Sequence, residues 1–387
     1  MTTLALDLTG AEILHPEGGL SRARLSIAEG RIVADRAGHV VDLAGYLVLP
    51  GIIDLHGDGF ERHLAPRRGV MKEMQEGVVA AEAEMAASGI TTGVMAQFIS
   101  WEGGLRGAEY AADVFAAIAG ARGSLVTDLM PQLRLETHLL DQYADLPERI
   151  AEWQVDYVVF NDHLPHDRLA EGRRPARLTG QALKAGRNPE AHLALLNALH
   201  ANGAAVPGAL DHLCPLLSAQ GVRMGSHDDH TGDQRRAWRG RGVAISEFPE
   251  TRQAAEEARA GGDAVVFGAP NVVRGSSHKG NVSAAAMVAE GLCDALASDY
   301  HYPSPRRAAL ALARDGVLDL ARAWGLVSSG PAKVLELTDR GDLRVGKRAD
   351  LVILSGETHR VAATISAGRF SYLSGDVAAR FLPKNRL

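Results

Sequence analysis

The sequence is poor in cysteine: Cys214 and Cys293 stand far apart with no CxxC spacing, and the chain has two in all. That leaves no disulfide framework, and the expected state is two buried thiols in a reducing cytoplasm. Long apolar runs are missing as well. None approaches the ~20 uncharged residues of a membrane span, so no membrane partner is expected. The start, Met1-Thr2-Thr3-Leu4-Ala5-Leu6-Asp7, lacks the charged-then-apolar order of a leader peptide. Basic residues are in the minority, 41 Lys and Arg against 47 Asp and Glu, for a net charge of -6. A negative chain is a poor general binder of nucleic acid or of membrane surfaces, so its cations matter as local clusters. What remains is a soluble cytoplasmic chain of 387 residues, room for one barrel-sized domain and a smaller one.

The chain is organised around Pro50-Gly51-Ile52-Ile53-Asp54-Leu55-His56-Gly57-Asp58. Pro50-Gly51 is a turn signal and the apolar run after it reads as a short buried strand. His56 and Asp58, two positions apart at the strand's end, point the same way because strand side chains alternate faces. Cations follow at once, in Phe60-Glu61-Arg62-His63-Leu64-Ala65-Pro66-Arg67-Arg68-Gly69. Metal-binding side chains beside a cationic loop suggest hydrolysis of an anionic substrate.

Strand and helix then alternate. Strands are expected at 90–96, 129–135, 155–160, 221–225, 242–247, 264–268 and 295–298, with helices at 71–87 and 108–121 among the returns. With the first strand this makes eight, the pattern of a (β/α)₈ TIM barrel in the α/β class. Residues 1–46 read as a small antiparallel β unit, and 340–387 has the same texture. Neither can bury much core alone, so the two chain ends are expected to pair as a small β-sandwich around a barrel of 47–339. One return is long. From His163 to Gln220 the chain carries an Arg-rich stretch, 168–187, then a helix announced by Asn188 as N-cap and Pro189 at the first position. Such an insertion on a barrel's active face is expected to be a lid or a substrate loop.

Five strand ends supply His56, Asp58, Glu136, His163, His227 and Asp299, on the face where barrel active sites lie. One histidine among 15 carries little weight, but six ligand types at five strand ends are harder to dismiss. Imidazole and carboxylate donors suit zinc, iron or manganese better than calcium. Two such ions ~3.5–4 Å apart would hold a hydroxide and clamp the attacking and leaving oxygens. Asp299 is placed to ligate one ion and take the proton from that water.

Leu49-Pro50-Gly51-Ile52-Ile53-Asp54-Leu55-His56 resembles the opening motif of the amidohydrolase superfamily, and Gly346-Lys347-Arg348-Ala349-Asp350-Leu351-Val352 is similar to its C-terminal signature. More specific are Ser226-His227-Asp228-Asp229, Glu247-Phe248-Pro249, Gly280-Asn281-Val282, Ser298-Asp299-Tyr300 and the run Gly268-Ala269-Pro270-Asn271-Val272-Val273-Arg274-Gly275-Ser276-Ser277-His278. Together with Glu61-Arg62-His63 and Pro66-Arg67 they resemble the PhnM-type branch for alkylphosphonate utilisation, the diphosphatases of the carbon–phosphorus lyase pathway. The resemblance implies hydrolysis of α-D-ribose 1-methylphosphonate 5-triphosphate, with metal-hydroxide attack on the α-phosphorus and departure of diphosphate. Carried over by position, the six strand-end residues are the metal centre. Arg62, Arg67, Arg274, His278 and Lys279 are candidate phosphate clamps. The expected partner is an anionic small molecule, with self-association left open. The chain departs from the branch's pattern at Gly57, Gly59 and Arg68, and at Leu164-Pro165-His166-Asp167 where Thr-Pro-Gly-Gln is usual. C–N hydrolysis by a deacetylase, amidase or deaminase on the same fold is the alternative, and a pocket poor in cations would favour it.

Overall fold

The structure is a computed structural model, and it describes residues 2–65, 73–275 and 282–382. Eight parallel strands form a nearly closed barrel: Ile52–Gly57, Ile90–Ile99, Asp128–Glu136, Tyr157–Asn161, Arg223–His227, Ile245–Glu247, Ala264–Gly268 and Ala295–Ala297. They are hydrogen-bonded neighbours in chain order. A parallel bridge from Gly57 to Asp299 closes the gap between the first and the eighth. The expected (β/α)₈ barrel is therefore present.

At the fifth and sixth strands a glycine shifts the start from the one expected. The fifth and sixth strands begin at Arg223 and Ile245 rather than at Gly221 and Gly242. Both glycines have positive φ, 73° and 81°, and their amides close the preceding helices onto the Ser218 and Arg239 carbonyls at 2.9 Å. A residue in that conformation ends a helix and cannot continue a strand. Gly89, at φ 91°, stops the helix Met74–Ala87 in the same way.

Both chain ends contribute to the extra sheets. One has four strands, in the order Arg31–Val33, Leu25–Ala28, Leu6–Thr9, His39–Asp42. The other has six: Arg369–Leu373, Val361–Ser366, Leu351–Ser355, Tyr46–Pro50, Glu12–Leu14, Leu20–Ser21. Leu8, Ile27 and Val41 of the first sheet and Val48, Leu351, Ile353 and Ile365 of the second share one buried core. The N-terminal part is mixed rather than antiparallel: Leu6–Thr9 runs parallel to His39–Asp42, and Glu12–Leu14 parallel to Tyr46–Pro50. The reason is chain length. Each parallel pair is joined by a long crossover rather than a hairpin.

The chain divides into two compact units, Met1–Val94, Ala121–Met130 and Val266–Leu387 in one, Met95–Gly120 and Pro131–Val265 in the other. The long return lies in the second and is built of helices, His166–Ala170, Leu178–Lys184 and Pro189–Ala201. Asn188 caps the last of these as expected, its side chain accepting from the Glu190 amide at 2.8 Å. Leu169, Leu178 and Leu196 pack with Leu164 and Trp101, and Arg187 donates to the Trp101 carbonyl at 2.6 Å. Among the described residues no helix is long and apolar enough to cross a membrane.

Candidate metal centre

In the first unit the backbone draws three of the expected ligands together. The Asp299 amide donates to the His56 carbonyl at 3.0 Å, and the Asp58 amide to the Asp299 carbonyl at 2.8 Å. Asp299 sits at φ 56°, a left-handed conformation uncommon for side-chain-bearing residues and best tolerated by Asn and Asp. Beneath them Asp54 is fully buried and accepts from the Ser298 amide at 2.8 Å and from the Ser298 hydroxyl. Burial pushes its carboxyl up to about 6. Gly57 is required here: a Cβ would fall 2.8 Å from Asp54 Oδ2, 2.9 Å from Ser298 Oγ and 3.0 Å from the Tyr302 ring.

The second unit gathers the other three. His163 Nδ1 lies 2.5 Å from Glu136 Oε1, and the Glu136 Oε2 oxygen accepts from the His163 amide at 3.1 Å and from the Trp101 indole at 3.2 Å. Asp228 bridges the two imidazoles, 3.6 Å from His163 Nε2 and 3.2 Å from His227 Nδ1. The electrostatics follow from this packing. Burial alone would raise the Glu136 carboxyl, but the bonds and charge of His163 hold it below its usual range. Asp228 is likewise opposed by burial, yet His227 and His163 hold it well below that range. Burial works to lower His163, and the hydrogen bonds to Asp228 and Glu136 override it and raise the imidazole to about 9. An open cavity of about 540 Å³ begins at this cluster, its wall including His227, Asp228, Asp162, His166 and Arg168.

The donor set, imidazole nitrogens with carboxylate oxygens, is the chemistry that zinc-like divalent ions take. His163, His227 and Asp228 each offer a ligand atom, and those atoms lie within 4.8 Å of one another. His163 already shows the arrangement of a ligating imidazole, with Nδ1 held by a carboxylate and Nε2 turned to the cluster. The residues fit a metal, on one condition. Buried Arg134, its guanidinium 3.9 Å over the Phe98 ring, places Nη2 2.9 Å from His227 Nε2. A guanidinium only donates, so that nitrogen must accept. A metal at Nε2 would take its lone pair, and a metal at Nδ1 would leave a proton on Nε2. Arg134 must therefore withdraw from His227 before His227 can ligate.

Of the expected phosphate clamps, Arg62 and Arg274 meet at one residue. Arg62 donates to the Tyr300 carbonyl at 3.2 Å, and the Arg274 guanidinium stands 5.9 Å from the Tyr300 ring centroid. Arg62 also pairs with Glu84, which holds His63 at 2.6 Å, and Arg274 donates to Asn271 at 3.0 Å. Arg67, His278 and Lys279 lie outside the described residues.

Sequence reasoning missed Arg134, Asp228 and Trp101 as members of the site. Arg134 had a signal: in Leu133-Arg134-Leu135-Glu136 it shares Glu136's strand face by alternation. Trp101 had none, since it follows its strand in an unremarked loop. Glu247, noted only as part of a motif, is fully buried; Tyr157 donates to it, and so does Gln132 at 3.2 Å.

A barrel with metal-ligand residues at its strand ends defines a hydrolase class, and the chain belongs to it: residues 61–372 match the model of the Amidohydrolase family. It is a metal-dependent hydrolase of that family. In sequence it is similar to the alpha-D-ribose 1-methylphosphonate 5-triphosphate diphosphatase of Escherichia coli (strain K12), 34% identical over 349 residues that cover 85% of this chain and 90% of that one. Among solved structures, the β-aspartyl dipeptidase of Fervidobacterium islandicum AW-1 superposes with a TM-score of 0.65 at 14% identity, over 96% of this chain and 98% of that one. The 5-methylcytosine deaminase of Klebsiella pneumoniae gives 0.62 at 14% identity, over 95% and 98%. At those identities the likeness is one of fold.

Proposed function

We propose that this chain hydrolyses a phosphoric anhydride, cleaving α-D-ribose 1-methylphosphonate 5-triphosphate to the 5-phosphate and diphosphate. The observation that carries the reading is a cluster of imidazoles and carboxylates with guanidinium groups set against it, Arg134 at His227 and Arg168 on the wall of the same cavity. A neutral amide has no use for such cations, whereas a triphosphate must be neutralised to bind. The similarity to the Escherichia coli diphosphatase supports the same reading.

In this reading His56, Asp58, Glu136, His163, His227 and Asp299 hold two divalent ions, zinc foremost, with iron and manganese suited to the same donors. Such ions supply charge neutralisation and an activated water. Asp299 receives the proton of the attacking water, its backbone held by the bonds to His56 and Asp58. Arg62, Arg67, Arg274, His278 and Lys279 bind the phosphates, two of them tethered at Tyr300 beside Asp299. The barrel of 47–339 carries the chemistry, and 1–46 with 340–387 makes the sandwich. Cys214 and Cys293, both buried, suit a cytoplasmic setting.

The test is turnover in ¹⁸O-water followed by ³¹P NMR, with the ribose triphosphate, nucleoside triphosphates and N-acyl compounds compared. Attack at the α-phosphorus puts the label in the monophosphate and leaves diphosphate unlabelled. Label in the diphosphate overturns the site of attack, and a preference for neutral amides overturns the reaction.

A further inference from the structure

The fourth barrel strand ends at Asn161, and Asp162 and His163 follow it with side chains on opposite sides. His163 turns to Glu136 and Asp228. Asp162 turns the other way, to two histidines the chemistry above does not use. Its Oδ1 lies 3.5 Å from His138 Nδ1, and both its oxygens lie 3.1 Å from His166 Nε2. One ligand atom from each of the three falls within 4.8 Å of the others. Ions bound at about 2.0–2.2 Å by nitrogen and oxygen set neighbouring ligand atoms about 3–3.5 Å apart in tetrahedral or octahedral geometry. The separations from Asp162 already have that spacing.

We propose that His138, Asp162 and His166 form a second divalent-cation site of this protein, taking an ion of the zinc, manganese or nickel class. Two imidazoles and one carboxylate make a three-ligand site with open positions. Those positions face the 540 Å³ cavity, because Asp162 and His166 line its wall. The outer contacts suit ligation. His166 Nδ1 is 2.8 Å from His200 Nδ1, so it can give its proton there and leave Nε2 for the ion. An ion at His138 Nδ1 must displace the Thr137 hydroxyl, which lies 3.3 Å from it. His166 belongs to Leu164-Pro165-His166-Asp167, the run that departs from the family's pattern. Its second histidine partner, His200, comes from the long return, in the helix Pro189–Ala201. The site therefore also ties that return to the strand end.

The full-length chain is stripped with a chelator, titrated with Zn²⁺ and separately with Co²⁺, and its bound metal is counted by mass spectrometry after gel filtration. Wild type should take up one equivalent more than His138→Gln/His166→Gln, and the extra cobalt should add a d–d band that the double variant lacks. His138 is 6% exposed and its loss could unfold the chain, so single His166→Gln, at 35% exposure, is measured beside it with circular dichroism as the fold control. It should weaken the extra equivalent at least tenfold. Equal stoichiometry and equal affinity in wild type and folded His166→Gln would overturn the site and leave the cluster a hydrogen-bonded network.

Discussion

Asp299 and Arg134 are the two side chains on which the residue-scale chemistry turns. Asp299→Asn keeps the size and the backbone constraint but removes the proton acceptor. Turnover should fall by about 10²–10⁴, the usual worth of a general base, with the circular dichroism spectrum unchanged. Near-normal turnover would end its assigned role. Arg134→Gln removes the donor that competes with metal at His227. A charge-assisted hydrogen bond is worth about 1.5–3 kcal/mol, so metal affinity should tighten by roughly 10–100-fold. Competition with a chromogenic chelator reads this directly, and unchanged affinity would mean that the guanidinium does not guard the imidazole. His163 sets a pH dependence. Its folded value of about 9 lies above the ordinary 6.5, so the native state holds the extra proton between those limits. In the metal-free chain its stabilising contribution is complete below pH 6.5 and is lost as pH rises through 9. The unfolding midpoint should fall across that window, and His163→Gln should flatten the fall. An equal slope in the variant would assign the effect elsewhere. Metal must displace the same proton, so affinity rises with pH over the same range.

At the scale of elements, the long return was legible as an insertion, and the start of its helix at Asn188-Pro189 was legible to the residue. Its seat was not. The Arg-rich stretch is not a solvated strap: Leu178 and Leu169 bury against Trp101, and Arg187 is spent on the Trp101 carbonyl. Arg173 and Arg174 pair with Glu171 and Glu190. Of the arginines in the 168–187 stretch, Arg168 lines the cavity. We expect the return to act as a lid that closes further over a polyphosphate, excluding water from the reacting phosphorus. Leu178→Ala should cost about 2–4 kcal/mol at that cluster and loosen the lid. KM should rise and kcat fall together while bound metal stays constant by mass spectrometry. Unchanged kcat and KM would reduce the return to scaffold. No periodicity in the sequence could have paired Leu178 with Trp101, because they belong to different loops and meet only when the barrel closes the chain around them.

At the scale of the whole molecule, a chain of net charge -6 that binds a polyanion must do so through a local field. Salt screens such fields over about 8–10 Å, so KM for a triphosphate should climb with ionic strength while kcat holds. A salt-independent KM would remove the cations from binding. The sequence by itself determined the architecture: strand and helix periods count eight repeats, and glycines mark where helices end. It also determined which strand ends carry histidine and carboxylate, since alternation makes His56 and Asp58, or Arg134 and Glu136, share a face. Only the tertiary structure decided between neighbours of equal chemistry. Asp228 and Asp229 are adjacent and identical in kind. Asp228, at φ 59°, is turned to His163 and His227. Asp229 is buried against Arg235 at 3.2 Å and the hydroxyls of Ser226 and Ser246 at 2.7 and 2.8 Å. The choice rests on a buried arginine that needs a counter-charge, and its place beside Asp229 exists only once the helix Gly232–Gly240 has packed.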